Sequence, residues 1–150
     1  MNEFFDKAIM AARVGVQNSE GGPFGAVVVD KDNKIVGIGN NKVLMSNDPT
    51  AHAEVVAIRD ACSKLKTYDL SGCKIIATSE PCPMCLSSII WANIREVYYG
   101  TTRVETSSIG FRDDLIYRYF EGKDKSVVIV KHLENTNCNK LIDEYKNTIY

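Results

Sequence analysis

Residues 81–85 read Pro-Cys-Pro-Met-Cys, and this stretch decides how the rest of the chain is interpreted. A short helix is predicted to open near Cys82, because Pro83 is tolerated in the first helical turn. Two cysteines three positions apart share one helix face, so the sulfurs of Cys82 and Cys85 should point the same way. A helix N-terminus favours negative charge and helps to keep both thiols ionised. The spacing indicates a pair of thiolate ligands for a metal ion.

A third candidate ligand, His52, precedes Cys82 by thirty positions. It lies in the first turn of a second predicted helix, over about residues 49–66, for which Asp48 is the expected N-cap. If both helices start at the same edge of a sheet, His52, Cys82 and Cys85 can converge on one ion. Ligand softness favours zinc for two thiolates and an imidazole.

Three protein ligands indicate a catalytic rather than a structural zinc site, because structural zinc is usually enclosed by four. The remaining position accepts a water molecule, whose pKa zinc lowers to about 7. Glu54 stands two residues after His52. A carboxylate there can take the proton of the water and return it to a departing amine without binding the metal.

Other interpretations of these residues remain open. The two cysteines could form a redox pair, although the flanking prolines and the upstream His-x-Glu make this less favoured. His132 could complete a four-ligand site in a zinc-stabilised binding module, which would leave Glu54 without a role. The other cysteines are expected to be small core residues; they are Cys62, Cys73 and Cys138.

Hydrophobic periodicity predicts one domain, residues 1–150, in which an opening helix and a hairpin precede alternating strands and helices. Such an order is typical of an α/β fold, a three-layer α/β/α sandwich around a mixed five-stranded sheet. We predict helices over about residues 3–18, 49–66, 113–121 and 139–147, the short helix near Cys82, and strands over 24–29, 35–39, 74–78, 95–100 and 126–130.

Composition excludes some classes of function. The chain has 18 basic and 19 acidic residues, a balance not typical of proteins that bind nucleic acid through a strongly basic surface. No apolar run of about 18 residues predicts a membrane span. The acidic N-terminal segment is unlike a signal peptide, and we expect a cytoplasmic protein.

The chain resembles the cytidine-deaminase-like superfamily, whose zinc enzymes carry H-x-E followed by P-C-x-x-C. Within it, the sequence is similar to bacterial guanine deaminases from about Phe5 to Tyr117. Two of the similar segments, residues 47–54 and 79–86, also occur in tRNA adenosine deaminases. Two others, residues 21–27 and 110–114, are more similar to the guanine enzymes.

The resemblance implies roles for individual residues. His52, Cys82 and Cys85 would bind one Zn²⁺ per subunit, and Glu54 would shuttle protons. Phe24 would stack on a purine, Asn41 would hydrogen-bond its edge, Asp113 would face a ring N–H or the amine, and Tyr150 would reach a partner's active site. Without the resemblance, Phe24 could be a core aromatic, Asn41 a turn residue and Asp113 an N-cap.

The activity implied is hydrolysis of guanine to xanthine and ammonia, in purine salvage or catabolism. Alternatives are a deaminase of cytosine or of a nucleoside such as guanosine or cytidine, and less favoured, a tRNA adenosine deaminase. Residues 131–150 carry three lysines against three acids, which argues against RNA.

The resemblance also implies a homodimer with exchange of the C-terminal segment, about residues 132–150. The chain departs from the guanine enzymes at Arg112, where an acid is expected, and over residues 121–147.

Overall fold

The computed structural model describes residues 1–148 and is built on two central strands that are buried on both faces. All five residues of β1 (Gly25–Val29) are buried, as are Ile75, Ile76 and Ala77 at the centre of β3 (Lys74–Ser79). β2 (Ile35–Asn40) pairs antiparallel with β1, β1 pairs antiparallel with β3, and β3 pairs parallel with β4 (Glu96–Thr101). Within the described chain the strand order is β2-β1-β3-β4, which makes the sheet mixed and leaves β4 at an edge.

Side chains of β1 alternate between two helical layers. Val27 and Val29 contact the first layer, in which Phe4 and Ala8 of α1 (Asn2–Gln17) are buried. Ala26 and Val28 belong to the larger core on the opposite face, where α3 (Ala53–Leu65) and α4 (Pro83–Trp91) pack. The predicted three-layer α/β/α sandwich is confirmed. The remaining helices are α2 (Val43–Ser46), α5 (Arg103–Ser107), α6 (Asp114–Phe120) and α7 (Thr136–Tyr145).

The prediction of a fifth strand over residues 126–130 is wrong for the described chain, whose sheet has four strands. Residues 125–148, here called the C-terminal arm, are exposed throughout. A lone extended segment leaves its backbone N–H and C=O groups without partners, so it is not a strand until it pairs with another. The apolar residues Ile129 and Val130 are 78% and 75% exposed. Cys138, expected in the core, is exposed on α7.

The predicted start of the helix over residues 49–66 is also too early, because α3 begins at Ala53. The Asp48 carboxylate accepts hydrogen bonds from the Thr50 amide, at 2.8 Å, and from the Thr50 hydroxyl, at 2.6 Å. Asp48 therefore stabilises a local turn instead of capping the helix. The N-cap is His52, so the candidate metal ligand stands at the helix terminus itself.

Close packing of α3 on β2 sets the position of that terminus. A Cβ atom added to Gly37 would lie 2.4 Å from the Ala57 carbonyl oxygen, and one added to Gly39 would lie 2.4 Å from that of Ala53. Asp60 of α3 accepts a hydrogen bond from the Ile38 amide at 2.9 Å, which joins the helix to the edge strand. No helix among residues 1–148 has the length and apolar character needed to cross a membrane.

We expect Gly37→Ala to destabilise the protein by about 1–3 kcal/mol, because the added methyl group forces α3 away from β2. Urea unfolding followed by circular dichroism measures this loss against the exposed substitution Lys31→Ala. Equal stability of the two variants would contradict the close packing described here.

Candidate active site

Two helices begin next to each other and bring three ligand atoms together. His52 is the N-cap of α3 and Cys82 is the N-cap of α4, while Cys85 lies in the first turn of α4. His52 Nδ1 is 3.6 Å from Cys82 Sγ and 3.4 Å from Cys85 Sγ. Within residues 1–148 this is the one group of His, Cys, Asp and Glu side chains suited to a metal, with all donor atoms within 4.8 Å. His132 is exposed on the C-terminal arm and is not part of the group.

The separation of these atoms fits zinc. Tetrahedral zinc bonds nitrogen at about 2.0–2.1 Å and sulfur at about 2.3 Å, which places the two donor atoms about 3.5 Å apart. The two nitrogen–sulfur distances, 3.6 and 3.4 Å, lie on either side of that value. One imidazole and two thiolates also form a donor set that zinc prefers. Geometry and chemistry of the three residues therefore suit the ion.

Contacts among the three ligand side chains shift their pKa values. The contact with Cys85 is the main cause that lowers the pKa of Cys82 to about 4. The same contact raises the pKa of Cys85. The pKa of His52 is raised, first by its hydrogen bond with Cys82. Zinc would be held by thiolates and a neutral imidazole, so its binding would release protons.

Glu54 lies beside the three ligands but outside the group. Its side chain is buried, with 8% exposed, and one carboxylate oxygen is 3.4 Å from Cys85 Sγ. Burial is the main cause that raises the pKa of Glu54 above its ordinary value. A raised pKa makes the ionised carboxylate a stronger proton acceptor and keeps the protonated form available as a donor.

Around this centre lies a small cavity of about 20 Å³. Phe24 and Asn41, both predicted substrate residues, line it. Asn41 is buried, and its side-chain oxygen accepts from the Val43 amide at 3.1 Å. The amide nitrogen of Asn41 therefore keeps a donor available for a ligand. Phe24 and Asn41 therefore line the same cavity as His52 and Glu54.

Asp113 lies just beyond this cavity. It lines a neighbouring hollow of about 500 Å³ together with Phe111 and Arg112. Its side chain is buried, and burial is the main cause that raises the pKa of Asp113. Arg112 is exposed. Tyr150, the remaining predicted site residue, lies outside the described residues.

Four further residues line the cavity, which are Ser79, Glu80, Thr106 and Phe111. No role was predicted for Ser79, Glu80 or Thr106, whereas the resemblance to guanine deaminases implied that the segment of Phe111, residues 110–114, helps to form the pocket. Thr106 belongs to α5, a helix that was not predicted. The signal was present, because Thr102 and Glu105 form a capping box, in which each side chain bonds the other's backbone. The Glu80 carboxylate accepts from the Arg103 amide at 2.8 Å, which fastens the start of α5 beside the metal ligands.

Comparison with known proteins decides the family. The sequence profile described as the cytidine and deoxycytidylate deaminase zinc-binding region matches residues 1–101. This match spans more than half of the chain and includes His52, Glu54, Cys82 and Cys85. The chain belongs to this family of zinc-binding deaminases. It is a zinc-dependent hydrolytic deaminase, and His52, Cys82 and Cys85 form its candidate zinc site.

Two family members illustrate the range of similar proteins. The guanine deaminase of Bacillus subtilis (strain 168) is 48% identical over 115 residues, which cover 77% of this deaminase and 73% of the relative. A tRNA-specific adenosine deaminase of Buchnera aphidicola subsp. Schizaphis graminum is 32% identical over 123 residues, covering 82% and 79%. The X-ray structure of guanine deaminase from Bacillus subtilis superposes with a TM-score of 0.91 at 38% identity and covers 99% of this deaminase and 94% of that chain.

Removal of one thiolate tests the zinc site of the deaminase. We expect Cys82→Ser to lower bound zinc from about one ion per chain to a small fraction, because catalytic zinc has only three protein ligands. Metal analysis after gel filtration measures the ratio, with the exposed Cys138→Ser as matched control. Full zinc occupancy in Cys82→Ser would show that the metal is held elsewhere.

Proposed function

We propose that the deaminase converts guanine and water to xanthine and ammonia, as a cytoplasmic enzyme of purine salvage or catabolism. The observation that carries this proposal is the extent of the structural similarity to Bacillus subtilis guanine deaminase, 99% of this chain. A tRNA-specific adenosine deaminase also matches 82% of this chain, at 32% identity, so the zinc motifs do not distinguish the two activities. The higher identity to the guanine deaminase, 48%, and the structural similarity over 99% of the chain support guanine as the substrate.

The cavity offers chemistry that suits a guanine ring. Phe24 presents an aromatic face for stacking, and the Asn41 amide can donate to a ring acceptor. Asp113, when ionised, accepts from ring N–H and amino groups, which guanine presents on one edge. Buried polar groups that a ligand leaves unpaired cost affinity, so this set discriminates against bases with another donor pattern.

The reaction requires a water molecule to add at C2 and the amino group to leave. When bound, zinc supplies the nucleophile by lowering the pKa of a water molecule to about 7. Glu54 accepts the proton that this water loses. Burial keeps the resulting carboxyl group protonated long enough to donate to the C2 amino group, which departs as ammonia. Of the two protons of the added water, one thus passes through Glu54 to the departing ammonia, and the other ends on N3 of the ring as the C2 carbonyl of xanthine forms.

We expect Glu54→Gln to retain zinc and lose turnover by about 10²–10⁴-fold, because the amide cannot accept the proton. Ammonia release and bound zinc are measured together, with the exposed Glu3→Gln as control. A Glu54→Gln enzyme of normal activity would refute the proton-transfer role.

Substrate choice is tested by ammonia release from guanine, guanosine, cytosine, cytidine and adenosine. We expect the highest kcat/KM for guanine, since a ribose must displace groups around the small cavity. Turnover of another base or nucleoside without turnover of guanine would refute guanine as the substrate and leave the zinc-dependent mechanism intact.

We also propose a homodimer in which each chain, a single domain of residues 1–150, lends its C-terminal segment, about 132–150, to its partner together with the preceding residues 126–130. The C-terminal arm carries the amphipathic helix α7, whose apolar residues are exposed to solvent. Leu141, Ile142 and Tyr145 are 55%, 69% and 59% exposed. Its preceding segment, residues 126–130, holds β-branched residues that suit a strand.

The same chain leaves a complementary surface open. A groove of about 690 Å³ runs between α1 and α5, and apolar side chains such as Phe5, Ile9 and Ile109 line it. β4 beside it is an edge strand with free hydrogen-bonding groups. A second copy's arm can add a strand to β4 and place α7 in the groove, which would complete the five-stranded sheet. Tyr150 would then follow α7 toward the partner's site.

The exchange predicts that Leu141→Asp combined with Ile142→Asp yields a monomer of low activity, because charges in an apolar interface are costly. Light scattering after gel filtration reports the mass, with Lys140→Ala on α7 as control. An active double variant of unchanged mass would contradict the exchange.

A further inference from the structure

Phe111 occupies the mouth of the catalytic cavity. Its ring centroid lies 5.0 Å from that of Phe24, with the planes inclined by 52°, and 5.6 Å from that of His52, inclined by 59°. The cavity that remains measures about 20 Å³. This is room for about one water molecule. The pocket is therefore closed to a base as long as the Phe111 ring stays in place.

Binding of a base requires a larger space at this position. Pockets for small organic ligands are typically about 300–1,000 Å³. A ring that stacks on Phe24 close to His52 must take the place that the Phe111 ring occupies. Phe111 and the base therefore compete for the same two aromatic neighbours.

The segment that carries Phe111 has few ties to the rest of the molecule. Within the described chain, neither Phe111 nor Arg112 forms a hydrogen bond. Gly110 has a φ of +89°, and a Cβ added there would meet no atom within 4 Å. The Gly110 amide donates to the Ser107 carbonyl oxygen at 3.0 Å, which ties the glycine to the end of α5. A glycine fixed on that side and with open surroundings can act as a hinge for the two residues that follow it.

Phe111 also stands between the cavity and Asp113. Phe111 lines both the cavity and the adjacent hollow, whereas Asp113 lines the hollow alone. Displacement of the ring therefore opens a path between the metal ligands and the Asp113 carboxylate. A base that displaces Phe111 gains Asp113 as a hydrogen-bond acceptor.

We propose that Phe111 is a displaceable gate that occupies the place of the base in the free enzyme and turns out about Gly110 when the base enters. The base must compensate for the ring contacts it breaks, and it does so through Phe24 stacking and hydrogen bonds to Asp113. A ligand without donors for Asp113 obtains only part of this compensation. Phe111 thereby contributes to selectivity as well as to closure. The selectivity, though not the closure, rests on guanine being the substrate.

The test compares zinc-loaded Phe111→Ala and Phe111→Leu with wild type and with Phe120→Ala, whose ring is 75% exposed on α6. An aromatic contact contributes about 0.5–1.5 kcal/mol, so Phe111→Ala should lower the KM for guanine by about two- to tenfold. We expect the kcat of Phe111→Ala to stay close to that of wild type. The KM of Phe111→Leu should lie between those of wild type and Phe111→Ala, and Phe120→Ala should have the wild-type KM and kcat. Melting temperatures verify that each variant is folded.

A second readout does not depend on the substrate. Because the ring covers His52, a chromogenic chelator such as 4-(2-pyridylazo)resorcinol should withdraw zinc several times faster from Phe111→Ala than from Phe120→Ala. If guanine is not turned over by wild type, the proposed function fails while zinc withdrawal still tests the closure. A KM for guanine that rises in Phe111→Ala and is restored to the wild-type value in Phe111→Leu would overturn the proposal. Phe111 would then be part of the pocket surface that contacts the bound base. Equal rates of zinc withdrawal would overturn the closure.

Discussion

The structure depends on the convergence of two helix N-termini at one edge of the sheet. His52 caps α3 and Cys82 caps α4, so the polypeptide geometry of each helix start places a ligand atom at the metal position. α3 is held there by glycines of β2 that allow its backbone to approach, and α4 follows directly from β3. The sites of proton transfer and of base binding are then arranged around a centre that the core itself fixes.

Much of this could be predicted from sequence because the signals are local. The Cys-x-x-Cys spacing and the His-x-Glu pair have direct chemical meaning, and β1 and β3 read as apolar runs. The fifth strand over residues 126–130 had an equally good local pattern but lacks a neighbour within the described chain. Strand formation depends on a partner strand, which no local pattern supplies.

The candidate base pocket was harder to predict for a different reason. Phe24 and Phe111 both lie in segments similar to known enzymes, residues 21–27 and 110–114, but what Phe111 does depends on its place between Phe24, His52 and Asp113. That place results from α5 and the Glu80–Arg103 contact, which join residues far apart in sequence. The family region ends at residue 101, so the segment that carries Phe111 and Asp113 lies outside the part of the chain that the zinc-binding family shares.

The proposed activity depends on a zinc ion held by one histidine and two cysteines, with the fourth position open to water. X-ray absorption at the zinc edge measures this ligand set directly, because sulfur and the lighter ligands differ in scattering and in distance. We expect two sulfur neighbours at about 2.3 Å and two nitrogen or oxygen neighbours at about 2.0–2.2 Å. Replacement of His52 by alanine should weaken the signal of imidazole. A shell of three or four sulfur atoms, or of none, would contradict the account.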